Sequence, residues 1–384
     1  MITKKSILKL LTCLLVVFSL FTLAQAYYSA YIHMSLLILC FLLYPAVPRK
    51  TVNFLVSGIL ICAVFVVLAL CKNNNTVMDH IGFFLHYLTW PFLFICVVSR
   101  YTVKEIKHLL YFIIVLCIIG NILSLIQLNI NPDISRLLAG IHLEDEKIEY
   151  YKLGVGGYGY VFAMSFLMYG AIRWLKSTNN SAEKVFLTIF VMLNSIFILY
   201  AAYTSAIIIA LTLIGFALIS RANPSYRNVI IFIVSLLILL LRTPILEACY
   251  YLADNLGVAW VAKRFNQLLQ AQVTNDLSAL KRFELYALSW RSFLSNPIMG
   301  GTEFGGHSQI LDTFAQYGIF ALLLPVFFSC CRSLCSKAID KSALNVLYIV
   351  FIIFTCIDTC SVMQIPVVVF FVVPLILYVE RVKL

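Results

Sequence analysis

The sequence predicts an all-helical, polytopic membrane protein with about twelve transmembrane helices and a large outward-facing loop that contains short helices. Three observations carry this. Of 384 residues, 62% are hydrophobic and only 12% are charged, too few polar groups to clothe a soluble globule. Apolar runs recur along the whole length, each of about 18 residues or more and so able to cross the bilayer as a helix. Basic residues gather at the ends of these runs, more on one side than on the other.

In chain order the runs fall near 7–25, 30–47, 53–71, 80–98, 109–128, 158–175, 185–201, 204–220, 229–246, 308–330, 343–361 and 363–380. The first begins after "MITKK" and ends at "LAQA", where Ala24 and Ala26 have signal-peptidase spacing. It reads either as a cleaved signal or as a first transmembrane helix, and the helix is the reading taken. The runs that meet at Tyr203 are separated only by the turn "YTS". With both termini in the cytoplasm, eighteen of the 28 Lys and Arg residues lie in inner segments, among them Lys5, Arg49, Arg100, Lys107, Arg173, Lys184, Arg332 and Arg381. The net charge of +11 is therefore a topology signal. No basic, aromatic-interleaved soluble domain is present, so nucleic acid is not an expected partner. Eleven of the twelve cysteines fall in or beside apolar runs, and only Cys249 sits in an outer loop. Neither metal-ligand spacing nor a disulfide framework is visible, and no cofactor is expected. The chain reads as a single membrane domain over 1–384.

Two connections are long, and both face outward. The first, about 129–157, is net acidic and leads through "GVGGYGY" (Gly154 to Tyr160) into a helix. Here Gly157 lets a ligand approach the backbone. Tyr158 and Tyr160 are either interfacial anchors or platforms for a sugar, and Tyr203 adds a hydroxyl at the same level. The second, about 247–307, is the largest block outside the membrane. Its "YYLADNLGVAWVAKRFNQLLQ" spaces Leu252, Leu256, Val261, Phe265 and Leu268 along one face, which suits a helix lying on the membrane surface. After "TND", "LSALKRFELYALSWRSFLS" predicts a second helix that stops at Asn296-Pro297. Arg282, Tyr286 and Ser289 then share a face, while Arg291, nine residues beyond Arg282, lies opposite.

The stretch "MGGTEFGGHSQILDTFAQYG", residues 299–318, leads four glycines and a histidine into an apolar run. A glycine-rich approach to a helix start offers backbone N–H groups and the positive end of the helix dipole, a ready site for phosphate or diphosphate. Gly305, Gly306 and Ser308 belong to that approach, and His307 can serve as a general base. The plainer reading makes Ser308 an N-cap, the glycines a turn and His307 an interfacial residue. Asp312, near the outer end of a membrane helix, faces either a cavity or an arginine of the outer loop. Arg264, Lys281 and Arg282 are outer cations suited to phosphate oxygens, or else they snorkel or pair with Asp276 and Glu284. No hydrolase elbow or nucleotide-binding loop is present.

"KRFELYALSWRSFLSNPIMGGTEFGGHSQILDTFAQYGIFALLL", with the earlier "GVGGYGY", resembles the O-antigen and capsular polysaccharide polymerases (Wzy-type), which are related to the O-antigen ligases. The shared pattern is a basic residue in a Ser/Phe helix, then Asn-Pro, a Gly-rich turn, His-Ser and Tyr-Gly. The resemblance implies a metal-independent glycosyltransferase in the bacterial plasma membrane that acts on undecaprenyl-diphosphate-linked oligosaccharides. It also implies a chain-length regulator and a flippase as partners of the same pathway. On this expectation Arg282 and Arg264, with the Gly300–Gly306 backbone, hold the diphosphate, His307 takes the acceptor proton and Asp312 orients it. Lys281, Tyr286, Arg291, Ser308, Gly157, Tyr158 and Tyr203 are the further candidates for substrate contact. A ligase and a flippase are the alternatives. A transporter places its charges at mid-membrane, where the apolar runs here read as nearly uncharged.

Overall fold

The computed structural model describes residues 4–27, 30–43, 49–72, 77–131, 133–140, 144–201, 203–219, 242–255, 257, 259, 262–263, 265–266, 269, 277–336 and 338–383. Every regular element among them is helical. In chain order these are α1 (Lys4–Leu20), α2 (Thr22–Gln25), α3 (Ala30–Leu43), α4 (Arg49–Cys71), α5 (Val77–Arg100), α6 (Val103–Ile130), α7 (Ile134–Gly140), α8 (Glu144–Lys152) and α9 (Tyr158–Ser177). Next come α10 (Ser181–Ala201), α11 (Thr204–Leu218), α12 (Arg242–Asn255), α13 (Leu277–Ser295) and α14 (Gln309–Tyr317). A 3-10 turn, Gly318–Leu322, continues α14 into α15 (Leu323–Cys335). Then follow α16 (Lys341–Ile357), α17 (Gln364–Val367), a π turn at Val368–Val372 and α18 (Val373–Lys383).

Among the described residues, six helical segments are long and apolar enough to cross a membrane: α4, α5, α6, α10, Gln309–Cys335 and Gln364–Val382. Large apolar side chains stand exposed along their outer faces, for example Val56, Ile59, Leu60 and Val67 on α4 and Val115, Ile119, Ile122 and Ile126 on α6. Such a surface suits a protein whose solvent is lipid. The other predicted runs appear as shorter or less apolar helices, except that 229–246 lies largely outside the described residues. The expected surface helix at 250–270 is described in part, and its described residues other than Gly257 are helical, while α13 begins and ends where "TND" and Asn-Pro predict.

The centre of the bundle is α9, buried from Gly159 to Trp174, as befits a helix apolar on every side. Its neighbours include α10, α11 and α18. Some polar groups in this core are paired across helices. Asn121 of α6 donates to Asn194 of α10 at 3.1 Å, and Asn194 donates onward to the Met164 carbonyl of α9 at 3.0 Å. Pro91 inside α5 cannot supply the N–H owed to the Tyr87 carbonyl, and the Cys331 thiol reaches that carbonyl instead.

The bundle has two chemically distinct ends. At one end Lys5 pairs with Glu105 at 2.8 Å, Lys107 with Glu183 at 3.1 Å, and Arg173 grips Glu380 with two bonds of 2.8 and 2.9 Å. Glu105 also completes a capping box with Thr102 at the start of α6. At the other end many of the contacts are made by hydroxyls and backbone carbonyls. Thr22 donates to the Gly154 carbonyl, Ser124 accepts from the Gly156 amide, Ser135 donates to the Gly156 carbonyl, and Tyr203 to that of Ser135.

Arg173 is buried, so its removal strands Glu380 in a poor dielectric. We predict that Arg173→Met costs about 3–5 kcal/mol, read as thermal destabilisation in detergent. The Arg173→Met/Glu380→Met pair should recover most of the loss.

Candidate functional site

The glycine-rich stretch between α13 and α14 is a close backbone-to-backbone fit. A Cβ on Gly305 would stand 2.3 Å from the Leu285 carbonyl, and one on Gly300 would meet the Gln316 backbone at 2.4 Å. Gly300, Gly306 and Gly318 have positive φ, which glycine adopts without steric cost. Lys72, just past α4, pins the stretch from outside. Its ammonium reaches the carbonyls of Met299, Gly301 and Gln316, so all three of its donors are engaged. Burial draws its pKa below the ordinary lysine value.

Asp312 is the knot of the inner side. One carboxylate oxygen accepts from the Ser289 hydroxyl of α13 at 2.6 Å, and the other accepts from the Ser308 amide at 2.9 Å. Ser289 accepts in turn from the Gly305 amide at 2.8 Å. Ser308 is buried, caps α14 through the Leu311 amide and donates to the Cys356 carbonyl at 2.8 Å. Tyr286 donates to the Ile357 carbonyl, and thus meets the same end of α16 as Ser308 does.

This geometry corrects two expectations. The amides of Gly300, Gly301, Gly305, Ser308, Gln309 and Leu311 all donate within the protein. The predicted anion cradle is therefore largely occupied by the fold's own acceptors. His307 is partly exposed and has no hydrogen bond among the described residues; in particular it is not bonded to Asp312, whose oxygens serve Ser289 and Ser308.

The other candidates divide. Gly306 and Asp312 line a cavity, described below. Tyr158 donates to the Thr359 carbonyl at 2.9 Å and packs edge-on against Tyr203, with ring centroids 5.9 Å apart. Gly157 is buried, and a Cβ there would strike Leu138 at 2.8 Å, so it serves packing and does not reach the cavity. Arg291 is exposed, consistent with its predicted place across the helix from Tyr286 and Ser289. Arg264 lies outside the described residues, as do the side chains of Lys281 and Arg282 within α13.

The cavity, of about 730 Å³, lies between α5 and α14. Gln309, Asp312, Thr313 and Gln316, at i, i+3, i+4 and i+7, form one stripe along α14, and all four line it. Asp312, Thr313 and Gln316 are otherwise buried. The facing wall is α5, which contributes Asp79, His80 and His86. Thr359 and Ser361 add hydroxyls, and Phe65, Phe83, Phe84 and Phe304 add apolar walls. His80 is hydrogen-bonded to the Tyr317 hydroxyl. The side-chain amide of Gln316 has no hydrogen-bond partner among the described residues, so its donor and acceptor are available to a ligand. Among the described residues, no lysine or arginine lines the cavity. Amides, carboxylates, imidazoles and hydroxyls set between aromatic walls suit a neutral, hydroxyl-rich ligand such as a sugar.

The sequence reading passed over Asp79, His80, His86, Gln309 and Gln316. Two signals announce them: ionisable residues inside the apolar run "MDHIGFFLHYLTW", and the polar stripe of "QILDTFAQ". Comparison with protein-family models gives no match. Comparison with curated proteins gives none either.

We predict that Gly305→Ala destabilises more than Gly306→Ala. The first drives a methyl into backbone, worth about 1–3 kcal/mol of overpacking, and pushes the loop off Ser289. The second meets open space and carries only left-handed backbone strain of about 1 kcal/mol. Thermal unfolding and protease sensitivity of the 299–307 segment check the order.

Proposed function

We propose that the protein is a polysaccharide polymerase of the bacterial plasma membrane. On this reading it transfers an undecaprenyl-diphosphate-linked oligosaccharide onto the next lipid-linked repeat unit at the outer face. The observation that carries the reading is the polar cavity at the glycine end of an otherwise apolar bundle. Its volume is within the range of small-ligand sites, its lining suits hydroxyls, and its mouth adjoins the stretch that resembles the polymerases.

The sidedness of the contacts supports the proposed topology of about twelve helices, with 229–246 as the ninth and both termini inside. Groups assigned to the cytoplasmic side pair with one another, as Lys5 does with Glu105 and Arg173 with Glu380. Groups assigned to the outer side do likewise, as Lys72 does with Met299 and Tyr158 with Thr359. In this arrangement the acceptor sugar sits against Gln316 and Asp312. Asp312 uses one lone pair on each oxygen for Ser289 and Ser308 and keeps capacity for a hydroxyl. Lys72 is saturated by carbonyls, and the cations proposed for the diphosphate are Arg264, Lys281, Arg282 and Arg291. A flippase and a chain-length regulator of the same pathway are the proposed partners.

The test is made in cells lacking the gene and complemented with wild type or Gln316→Ala. The proposal expects the wild type to restore a ladder of surface polysaccharide, with single exposed units left when the gene is absent. Gln316→Ala should cut transfer efficiency about 10–100-fold, the weight of one or two buried hydrogen bonds, at unchanged protein level. Unattached long chains on the lipid carrier would instead identify a ligase. Single units confined to the inner leaflet would identify a flippase.

A further inference from the structure

We infer that His86, and not His307, takes the proton of the acceptor hydroxyl, and that His33 positions it; this rests on the glycosyltransferase reading above. His86 lines the cavity on the same face of α5 as Asp79, seven residues and about 10 Å deeper along the axis. Imidazoles at such depth are costly in an apolar bundle and tend to serve a site. A second imidazole lies directly behind. His33 of α3 is fully buried, and its ring meets that of His86 edge-to-face, with centroids 4.9 Å apart and planes at 86°.

The support of His33 is specific. The Thr89 hydroxyl has one proton, and it goes to the Leu85 carbonyl at 2.7 Å. The 3.1 Å contact between His33 Nε2 and Thr89 Oγ1 is therefore made by an Nε2–H donating to the hydroxyl oxygen. That bond fixes the tautomer of His33, and the ring so held is the one that packs edge-to-face against His86. The two other histidines near the site lack this arrangement. His80 is committed to the Tyr317 hydroxyl, and His307 does not line the cavity. The titratable groups facing this region are Asp79 and His80 from α5, His33 from α3 and Asp312 from α14.

The step balances without a metal or redox partner. The acceptor hydroxyl gives its proton to His86 as its oxygen bonds to the anomeric carbon of the donor sugar. The bond from that carbon to the diphosphate oxygen breaks, and its electron pair leaves with the lipid diphosphate. The proton on His86 then passes to solvent or to the released diphosphate.

The experiment uses purified protein in proteoliposomes supplied with undecaprenyl-diphosphate-linked repeat units, with chain growth followed against pH. Wild type should lose rate on the acid side, as its proton acceptor fills. His86→Asn should lower turnover about 100-fold or more, the weight of a lost general base, and abolish the acid limb while the lipid-linked unit still binds. His33→Leu should move the midpoint of that limb, whereas a merely structural role would scale the whole curve. His86→Gly with added imidazole covers the case of a disturbed fold, and recovery of turnover supports the assignment. Wild-type turnover and an intact acid limb in His86→Asn would overturn it, as would an acid limb lost in His307→Asn but kept in His86→Asn. Chain growth absent from wild type itself would instead sink the polymerase reading, and this assignment with it.

Discussion

In hydrocarbon a polar group has no water to turn to, so each must find its partner inside the protein or face a cavity where a ligand supplies one. Most of the architecture follows from that constraint. The Asn121–Asn194–Met164 chain, the thiol that serves the carbonyl left by Pro91, and the hydroxyls that gather around Gly154 and Gly156 all answer it. At one end of the bundle charged side chains answer it with paired carboxylates. At the other, glycines let backbone approach backbone, and the resulting amides and carbonyls satisfy one another.

The constraint also sharpens what counts as a site. Groups bonded within the protein have a structural reason to be where they are. Ser308, Gly305 and Ser289 fall in this class, and Lys72 joins them because its three donors meet three carbonyls. Gln316, Asp79 and His86 lie on the walls of one cavity, and Asp312 belongs to both sets, holding the loop through both carboxylate oxygens while still lining that cavity. A substrate that brings its own hydroxyls completes such a set.

Much of the fold was legible in the residues because apolar runs and their basic flanks are set by the bilayer itself. The limits of α13 could be read from "TND" and Asn-Pro, and the shared face of Tyr286 and Ser289 from helical spacing alone. The site was legible only in part. The glycine-rich stretch points to the end of the bundle where the cavity opens, but the acceptors of several of its amides lie elsewhere in the sequence, at Asp358, Ser289 and Ala315. His307 drew attention through its glycines, whereas His80 and His86 were hidden in an apolar run. Only packing α5 against α14 brings them opposite Asp312 and Gln316, and no local pattern encodes that pairing.

The central claim is that the cavity between α5 and α14 holds the sugar end of a lipid-linked saccharide. The most direct measurement places a photoreactive benzoyl-phenylalanine at position 316 and, as control, at Ile353, an exposed apolar residue of α16. Radiolabelled undecaprenyl-diphosphate-linked oligosaccharide is then cross-linked in membranes. The account predicts label on the protein from position 316, removed by unlabelled substrate, and none of that competition at 353. Equal labelling at both positions, or none that substrate competes away at 316, would contradict it.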